Sequence, residues 1–302
     1  MRLDLFLART FPYRSRTGWV TMIRDERILR NGGPARPGRT LREGDRIEYL
    51  PDPQPEPRVN GSYRIVYEDE ALLAVAKPAD LPVHPSGRYF RNTLLMMLLA
   101  DRGEALDAAE LRIVHRLDRE TSGVILFGKG RKAASILSTQ FERRTVRKRY
   151  LAVVHGVPGK DRFLIDAPIG PDPRSPIRKA MTVIDGGRAS RTGVRVLRRG
   201  PAHALVAVRP YTGRLHQIRV HLRHAGYPIV GDKVYGVDSR LFLRFIEGRL
   251  RPEDRRRLVW GRQALHAWEL RVRHPESDRS MLFRAPAGSG WIRRAERLGL
   301  YR

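Results

Sequence analysis

The chain contains no cysteine, which excludes disulfides, thiolate catalysis and cysteine-ligated zinc and leaves carboxylate, serine and histidine chemistry. It also lacks any apolar run long enough to cross a bilayer. Its amino end, MRLDLFLARTF, carries Asp4 and is too short for the apolar core of a secretory signal. A soluble cytoplasmic protein is therefore expected. Lysine is scarce, with 7 among 59 basic residues, and acids number only 32, giving a net charge of +27. A compositional habit of the source genome accounts for arginine over lysine but not for the excess of base over acid. Such a surplus is extreme for an enzyme of small neutral molecules and points to a polyanionic partner. Arginine suits that partner because its planar fork meets phosphate in bidentate fashion and stacks on bases.

What is present centres on residues 113 to 129, IVHRLDRETSGVILFGK. An apolar pair, Ile113 and Val114, is interrupted by a polar block and followed by Val124, Ile125, Leu126 and Phe127, which reads as strand, turn, strand. The turn sets Asp118 between Arg116 and Arg119, with His115, Glu120, Thr121, Ser122 and Gly123 close by. So many polar residues exceed what a connection needs. Two flanking guanidinium groups are expected to keep Asp118 ionised, available as base or nucleophile. Taken alone, the stretch also fits a solvated turn, since Asp and Ser are ordinary turn residues.

Residues 1 to 50 form a candidate small module: a helix from Leu3, a second opened by Arg14, Ser15 and Arg16, a tight turn in ILRNGG and a strand in GDRIEYL. PDPQPEP begins a spacer over 51 to 61, since proline at every second residue forbids helix and ladder alike. The remainder, 62 to 302, is expected as one larger domain of mixed α+β class with a mostly antiparallel sheet. In it YRIVYEDEALLAVA reads as two strands, and KPADLPVHPSG, with Lys77 and His84, as a rigid loop rimming a site. NTLLMMLLADRG and RKAASILSTQFERR have helical spacing. KRYLAVVHG is a strand that is basic at its start, with Lys148 and Tyr150 ahead of the apolar run. Residues 237 to 263 are polar, helical in pattern and very basic, and read as an insertion.

A second informative stretch is TGRLHQIRVHLRHAGYPIVGDKVYG, 212 to 236. A helix from about Arg214 to Ala225 puts Leu215, Ile218, Leu222 and Ala225 on an apolar face and lines His216, Arg219 and Arg223 beside it. The three histidines 216, 221 and 224 make a poor metal set, because 216 and 221 lie on different faces and the others lack a carboxylate. No metal site is expected.

The motifs RLDLFLA, RSR, ILRNGG and LREGDRIEYL resemble the S4 RNA-binding module. HRLDRETSG, KRYLAVVHG, TGRLHQIRVHL, GYPIVGDKVYG and ALHAWEL, in this order, resemble the pseudouridine synthases of the RluA type. That resemblance implies a mixed, mostly antiparallel sheet around an RNA-binding cleft, and isomerisation of uridine to pseudouridine without a cofactor. It assigns the catalytic aspartate to Asp118, either attacking ribose C1′ or removing a ribose proton. It assigns Tyr150 to packing on the target base and helping the C5 proton leave, and Arg219 to pairing with the aspartate. Arg116 would fill the space left by the everted base, and Arg214 and His216 would hold nearby RNA. With His115, Lys77, Lys148, Arg14 and Arg16, these complete the expected RNA contacts.

Asp80, Tyr211 and Leu215 depart from the residues common in that family. The expected substrate is structured ribosomal RNA, with transfer RNA the alternative, and the expected state a monomer. Two other classes fit parts of the sequence. A non-catalytic RNA-binding protein explains the charge but not the carboxylate. A serine hydrolase built on Ser122, His115 and Asp118 lacks the glycine-flanked elbow its nucleophile would need.

Overall fold

The computed structural model describes residues 1–11, 14–50, 56–103 and 110–301. The chain divides into two compact units, Met1–Pro55 and Glu56–Arg302. Residues 51 to 55 of the proline-rich spacer lie outside the described residues. From Glu56 onward the chain is bound into the larger unit, because the Glu56 carboxylate accepts the backbone N–H groups of Phe90, Arg91 and Asn92 at 2.7–3.0 Å.

The small unit has helices α1 (Leu3–Thr10) and α2 (Arg16–Arg24) and strands β1 (Ile28–Arg30), β2 (Gly33–Pro34) and β3 (Ile47–Tyr49). Leu3, Leu7, Trp19, Met22, Ile23 and Ile28 form its core. Asn31 and Gly32 both have positive φ, at 53° and 79°, the conformation that a two-residue hairpin loop between β1 and β2 requires and that Asn-Gly adopts most readily.

The larger unit opens with β4 (Arg64–Glu68), β5 (Leu72–Lys77) and α3 (Leu94–Arg102), whose Thr93 hydroxyl caps the Met96 N–H. Then come β6 (Leu111–Ile113), β7 (Ser122–Lys129), α4 (Gly130–Glu142), β8 (Arg147–His155), β9 (Arg162–Asp166), β10 (Ile169–Pro171), β11 (Met181–Val183), β12 (Arg191–Arg199) and β13 (His203–Pro210). Next are α5 (Gln217–His224), α6 (Arg240–Ile246), α7 (Pro252–Leu258), β14 (Leu265–Arg273), β15 (Ser280–Arg284) and α8 (Ser289–Glu296). Among the described residues ten strands make one sheet, ordered β4-β5-β7-β14-β8-β13-β12-β9, with β6 on β7 and β15 on β14. Its pairings are antiparallel except β7 with β14. This is the mixed, mostly antiparallel α+β fold expected. The fully buried runs Leu72–Val75, Val124–Phe127 and Ala152–Val154 read as continuous apolar strands because the sheet is covered on both faces.

Two features of this sheet place the site. Gly123, at the start of β7, has φ +119°, and a Cβ there would lie 2.1 Å from the Ala267 carbonyl oxygen, so only glycine allows β7 and β14 to approach where the polar turn ends. The β14–β8 register shifts between Ala267 and Glu269, a bulge directly beside the Ala267–Tyr150 pair.

Candidate active site

The polar turn between β6 and β7 is held by contacts to distant loops. The Thr121 N–H closes it onto the Asp118 carbonyl at 3.1 Å. Glu120 accepts the Lys233 ammonium at 2.8 Å and the Gln263 backbone N–H at 3.1 Å, while the Gln263 amide donates to the Thr121 hydroxyl. The Arg119 carbonyl accepts from the Leu81 N–H and from the Lys77 ammonium. Arg119, Glu120 and Thr121 are thus tied to distant loops, and Asp118 is left projecting from a held turn.

Its partner is Arg219, on α5. Arg219 Nη1 donates to Asp118 Oδ2 at 2.8 Å, while its Nε and Nη2 meet both oxygens of Asp232 at 2.6 and 2.8 Å. Asp232 is fully buried and also accepts the Val234 and Tyr235 N–H groups. The guanidinium lies 4.8 Å over the Tyr235 ring. Burial would push the Asp118 carboxyl up, but the charge and hydrogen bond of Arg219 outweigh it, with His216 and a Gln263 hydrogen bond adding to the effect, and Asp118 is held below the usual carboxylate range. Asp118 remains 30% exposed against 9% for Arg219, so one carboxylate is clamped yet open on one side.

That open side faces His216. This residue caps α5 with φ 55°, a left-handed conformation that carries strain in a non-glycine residue. The Tyr235 hydroxyl accepts the Met181 N–H at 2.9 Å and bonds His216 Nδ1 at 2.7 Å, which leaves His216 Nε2 as the N–H, 3.9 Å from Asp118 Oδ1. Burial and the Arg219 charge lower the imidazole to about 4, so it is neutral at pH 7.

Tyr150 completes the cluster from β8, paired with Val208 on one side and Ala267 on the other. Burial, with the Asp118 charge adding to it, raises its phenol well above the usual value. It is a neutral phenol in the free protein, half-buried between two core clusters. A clamped carboxylate, a buried guanidinium and a flat aromatic hydroxyl suit covalent or proton-transfer chemistry on a stacked ring.

Residues 71–224, which carry Asp118, Tyr150 and Arg219, match the family model described as RNA pseudouridylate synthase, and residues 1–47 match that of the S4 domain. The ribosomal large subunit pseudouridine synthase D of Neisseria meningitidis serogroup A is 38% identical over 292 residues, covering 94% of this chain and 75% of that protein. The enzyme of the same description from Pseudomonas aeruginosa is 37% identical over 298 residues, covering 94% and 88%. The chain belongs to the RNA pseudouridylate synthase family. Among solved structures, human RNA pseudouridylate synthase domain containing 4 matches with a TM-score of 0.62 at 27% identity, over 79% of this chain and 94% of that one. This synthase is accordingly an isomerase that converts uridine to pseudouridine in RNA.

Several residues of the synthase do not stand where their type suggested. Lys77 is 2% exposed and gives its protons to the carbonyls of Pro78, Leu81 and Arg119 at 2.8–3.1 Å. Three acceptors fit an ammonium, although burial draws it down to about 7. It pins the loop to the polar turn that carries Asp118, and all three of its donor positions are taken by backbone carbonyls. His115 likewise is structural: Nε2 accepts the Leu126 N–H, the ring stacks on Phe141 at 4.4 Å, and burial lowers it to about 3. Neither flanking arginine is what ionises Asp118. Arg119 turns away to the Tyr89 hydroxyl, Glu120 and the Phe245 ring, and Arg116 is exposed. The helix predicted from Arg214 begins only at Gln217, because His216 is left-handed, and Leu215 is 37% exposed rather than in the core.

Other candidates are at least partly exposed. Lys148 is half-buried, and a Cβ on Gly213 would come 3.6 Å from its ammonium, which places it beside the loop leading to α5. Arg214 is half-buried and donates to the Ala189 carbonyl. In the small unit Arg16 pairs with buried Asp4 yet stays 53% exposed, and Arg14 lies over Trp19. The departure at position 80 has a backbone meaning, since Asp80 has φ 59°, a conformation glycine adopts without strain. Asp232 and Tyr235 were missed as site residues. Asp232 is the only acid between Thr212 and Val237, and that isolation was the available signal.

The neutral histidines have a measurable consequence. His115, His155 and His216 are depressed to about 3, 4 and 4. The unfolded chain therefore takes up protons below pH 6.5 that the folded one refuses, and stability falls with falling pH, by about 1.4 kcal/mol per pH unit for each refused proton. The thermal midpoint is expected to decline from pH 6.5 to about 4; a flat midpoint over that window contradicts these protonation states.

Proposed function

We propose that the synthase isomerises specific uridines of ribosomal RNA, with Asp118 as the reacting carboxylate, Arg219 as its positioning and charge partner, and Tyr150 as the platform for the everted base. The observation that carries this is the 2.8 Å bond from Arg219 Nη1 to Asp118 Oδ2, which fixes one oxygen and leaves the other free for the ribose. In the reaction the C1′–N1 bond breaks, the base turns, C5 bonds C1′, the C5 proton leaves and N1 gains one. Asp118 serves it either by attack on C1′ or by removing a ribose proton. A neutral Tyr150 is suited to stacking; it takes part in losing the C5 proton only by relaying its own.

The target must leave its stack, at a cost of a few kcal/mol that an aromatic face and an exposed arginine such as Arg116 would offset. Ribosomal RNA is favoured because the relatives named above are described as ribosomal large subunit enzymes and because an S4 domain precedes the catalytic unit. Action on RNA in the cytoplasm agrees with this, and no described helix is long and apolar enough to cross a membrane. Incubating the pure protein with ribosomal and transfer RNA transcripts tests the assignment. Pseudouridine is expected in the former, and formation in transfer RNA alone would overturn it.

Affinity for RNA is expected to fall steeply with salt, by roughly 10³-fold or more between 50 and 200 mM for six to ten phosphate contacts, because neutralised phosphates release counterions. Equilibrium binding of an inactive variant measures it; an unchanged affinity contradicts a phosphate-lined cleft.

A further inference from the structure

Tyr150 is paired with Ala267, whereas His266, one residue earlier, is paired with Leu151 and with Ser122. Side chains alternate across a strand, so Ser122 and His266 face the side of the sheet opposite Tyr150. There the Ser122 hydroxyl donates to His266 Nδ1 at 2.9 Å, because His266 Nε2–H is given to the Ala285 carbonyl at 2.7 Å. These two side chains line a cavity of about 620 Å³ that takes no part in the chemistry described above.

The cavity wall is strongly cationic. Arg64, Arg262, Arg293, Arg294 and Arg297 line it, and Asp80 is the one carboxylate among the lining residues. Arg262 is directed to the Glu120 carbonyl and Arg294 lies over Trp260. Arg64, Arg293 and Arg297 have no acidic partner among the described residues. Trp291 lines the same cavity at 3% exposure, and its indole N–H is buried without an acceptor. At the cavity rim α8 begins with Gly288, which supplies no side-chain cap; the Trp291 and Ile292 N–H groups turn back to the Gly288 carbonyl, which leaves those of Ser289 and Gly290 as the orphan donors of the first turn.

We infer that this cavity is a binding site for a phosphorylated nucleotide, its phosphate held by Arg293, Arg297 and the start of α8. The volume lies in the range of small-ligand sites. A duplex is too wide to enter it, and an inorganic anion would leave the partly exposed Tyr63 ring in its wall uncovered. The nucleotide comes either from solution or from a single strand of the bound RNA. The inference does not depend on the catalytic reading, since the site lies across the sheet from Tyr150 and requires no turnover.

Calorimetric titration of the full chain with ADP and with a short oligoadenylate, neither of which contains uracil, tests it. Saturable binding is expected, weakened at least tenfold in Arg293→Gln/Arg297→Gln. The charge-matched pair Arg147→Gln/Arg271→Gln, outside the cavity, is expected to retain it. Oligoadenylate binding more tightly than ADP assigns the site to an RNA strand, and ADP binding as tightly or more tightly assigns it to a free nucleotide. Absence of saturable binding by both probes overturns the site, as does equal weakening in the two double variants, which would mean diffuse charge only.

Discussion

Asp118→Asn is expected to lower kcat by at least about 10³-fold, the scale of losing a reacting group rather than a binding contact. The amide keeps the shape and can still accept the Arg219 proton, so folding is retained. It carries no charge, and it can neither attack C1′ nor take a ribose proton. RNA affinity is expected to stay within a few-fold of the parent, because removing a negative charge from a basic cleft takes nothing from the phosphates. Single-turnover formation of pseudouridine together with equilibrium binding separates the two effects. A variant that turns over within tenfold of the parent would remove Asp118 from the chemistry.

Arg219→Met is expected to act on both stability and rate. Arg219 joins two carboxylates, and Asp232 has no exposure to water. Deleting the cation leaves a buried negative charge with two backbone N–H donors and no counter-ion. Breaking a buried pair from one side costs about 3–5 kcal/mol, which for a unit of this size lowers the thermal midpoint by roughly 10 °C. The catalytic effect has a definite sign. Arg219 depresses the Asp118 pKa against burial, so activity that needs the carboxylate persists as pH falls until the depressed pKa is reached. Without Arg219 burial prevails, the pKa rises, and the acid limb of the rate profile moves to higher pH. Arg219→Lys is expected to recover only part of either property, since one ammonium cannot serve both carboxylates with a fork. An unmoved acid limb in Arg219→Met would show that Asp118 is ionised by something else.

The strand, turn and strand around Asp118 were legible in the sequence because they are local: two apolar runs with β-branched residues and a polar interruption admit few other structures. The same holds for α3, α4 and the hairpin at Asn31 and Gly32. What failed was assignment by residue type. A lysine and a histidine in basic motifs suggest surface contacts, yet Lys77 and His115 are fixed by backbone groups of Arg119, Leu81 and Leu126, and no local pattern announces a partner that lies elsewhere in the chain. Arg116 and Arg119 sit beside Asp118 in sequence, but the group that ionises it lies on α5. That pairing follows from the family resemblance, whereas the next link, Asp232 in GYPIVGDKVYG, is marked in the sequence only by its isolation from other acids. The early start assigned to α5 has a similar cause: helical periodicity includes Leu215, while the strained backbone of His216 delays the helix to Gln217.

Pseudouridines mapped in the ribosomal RNA of cells lacking the gene, and of the same cells supplied with the parent or with Asp118→Asn, test most directly whether a clamped carboxylate carries this activity. Sites absent in the deletion are predicted to return with the parent and to stay unmodified with Asp118→Asn present at equal abundance. Restoration of those sites by Asp118→Asn would contradict it.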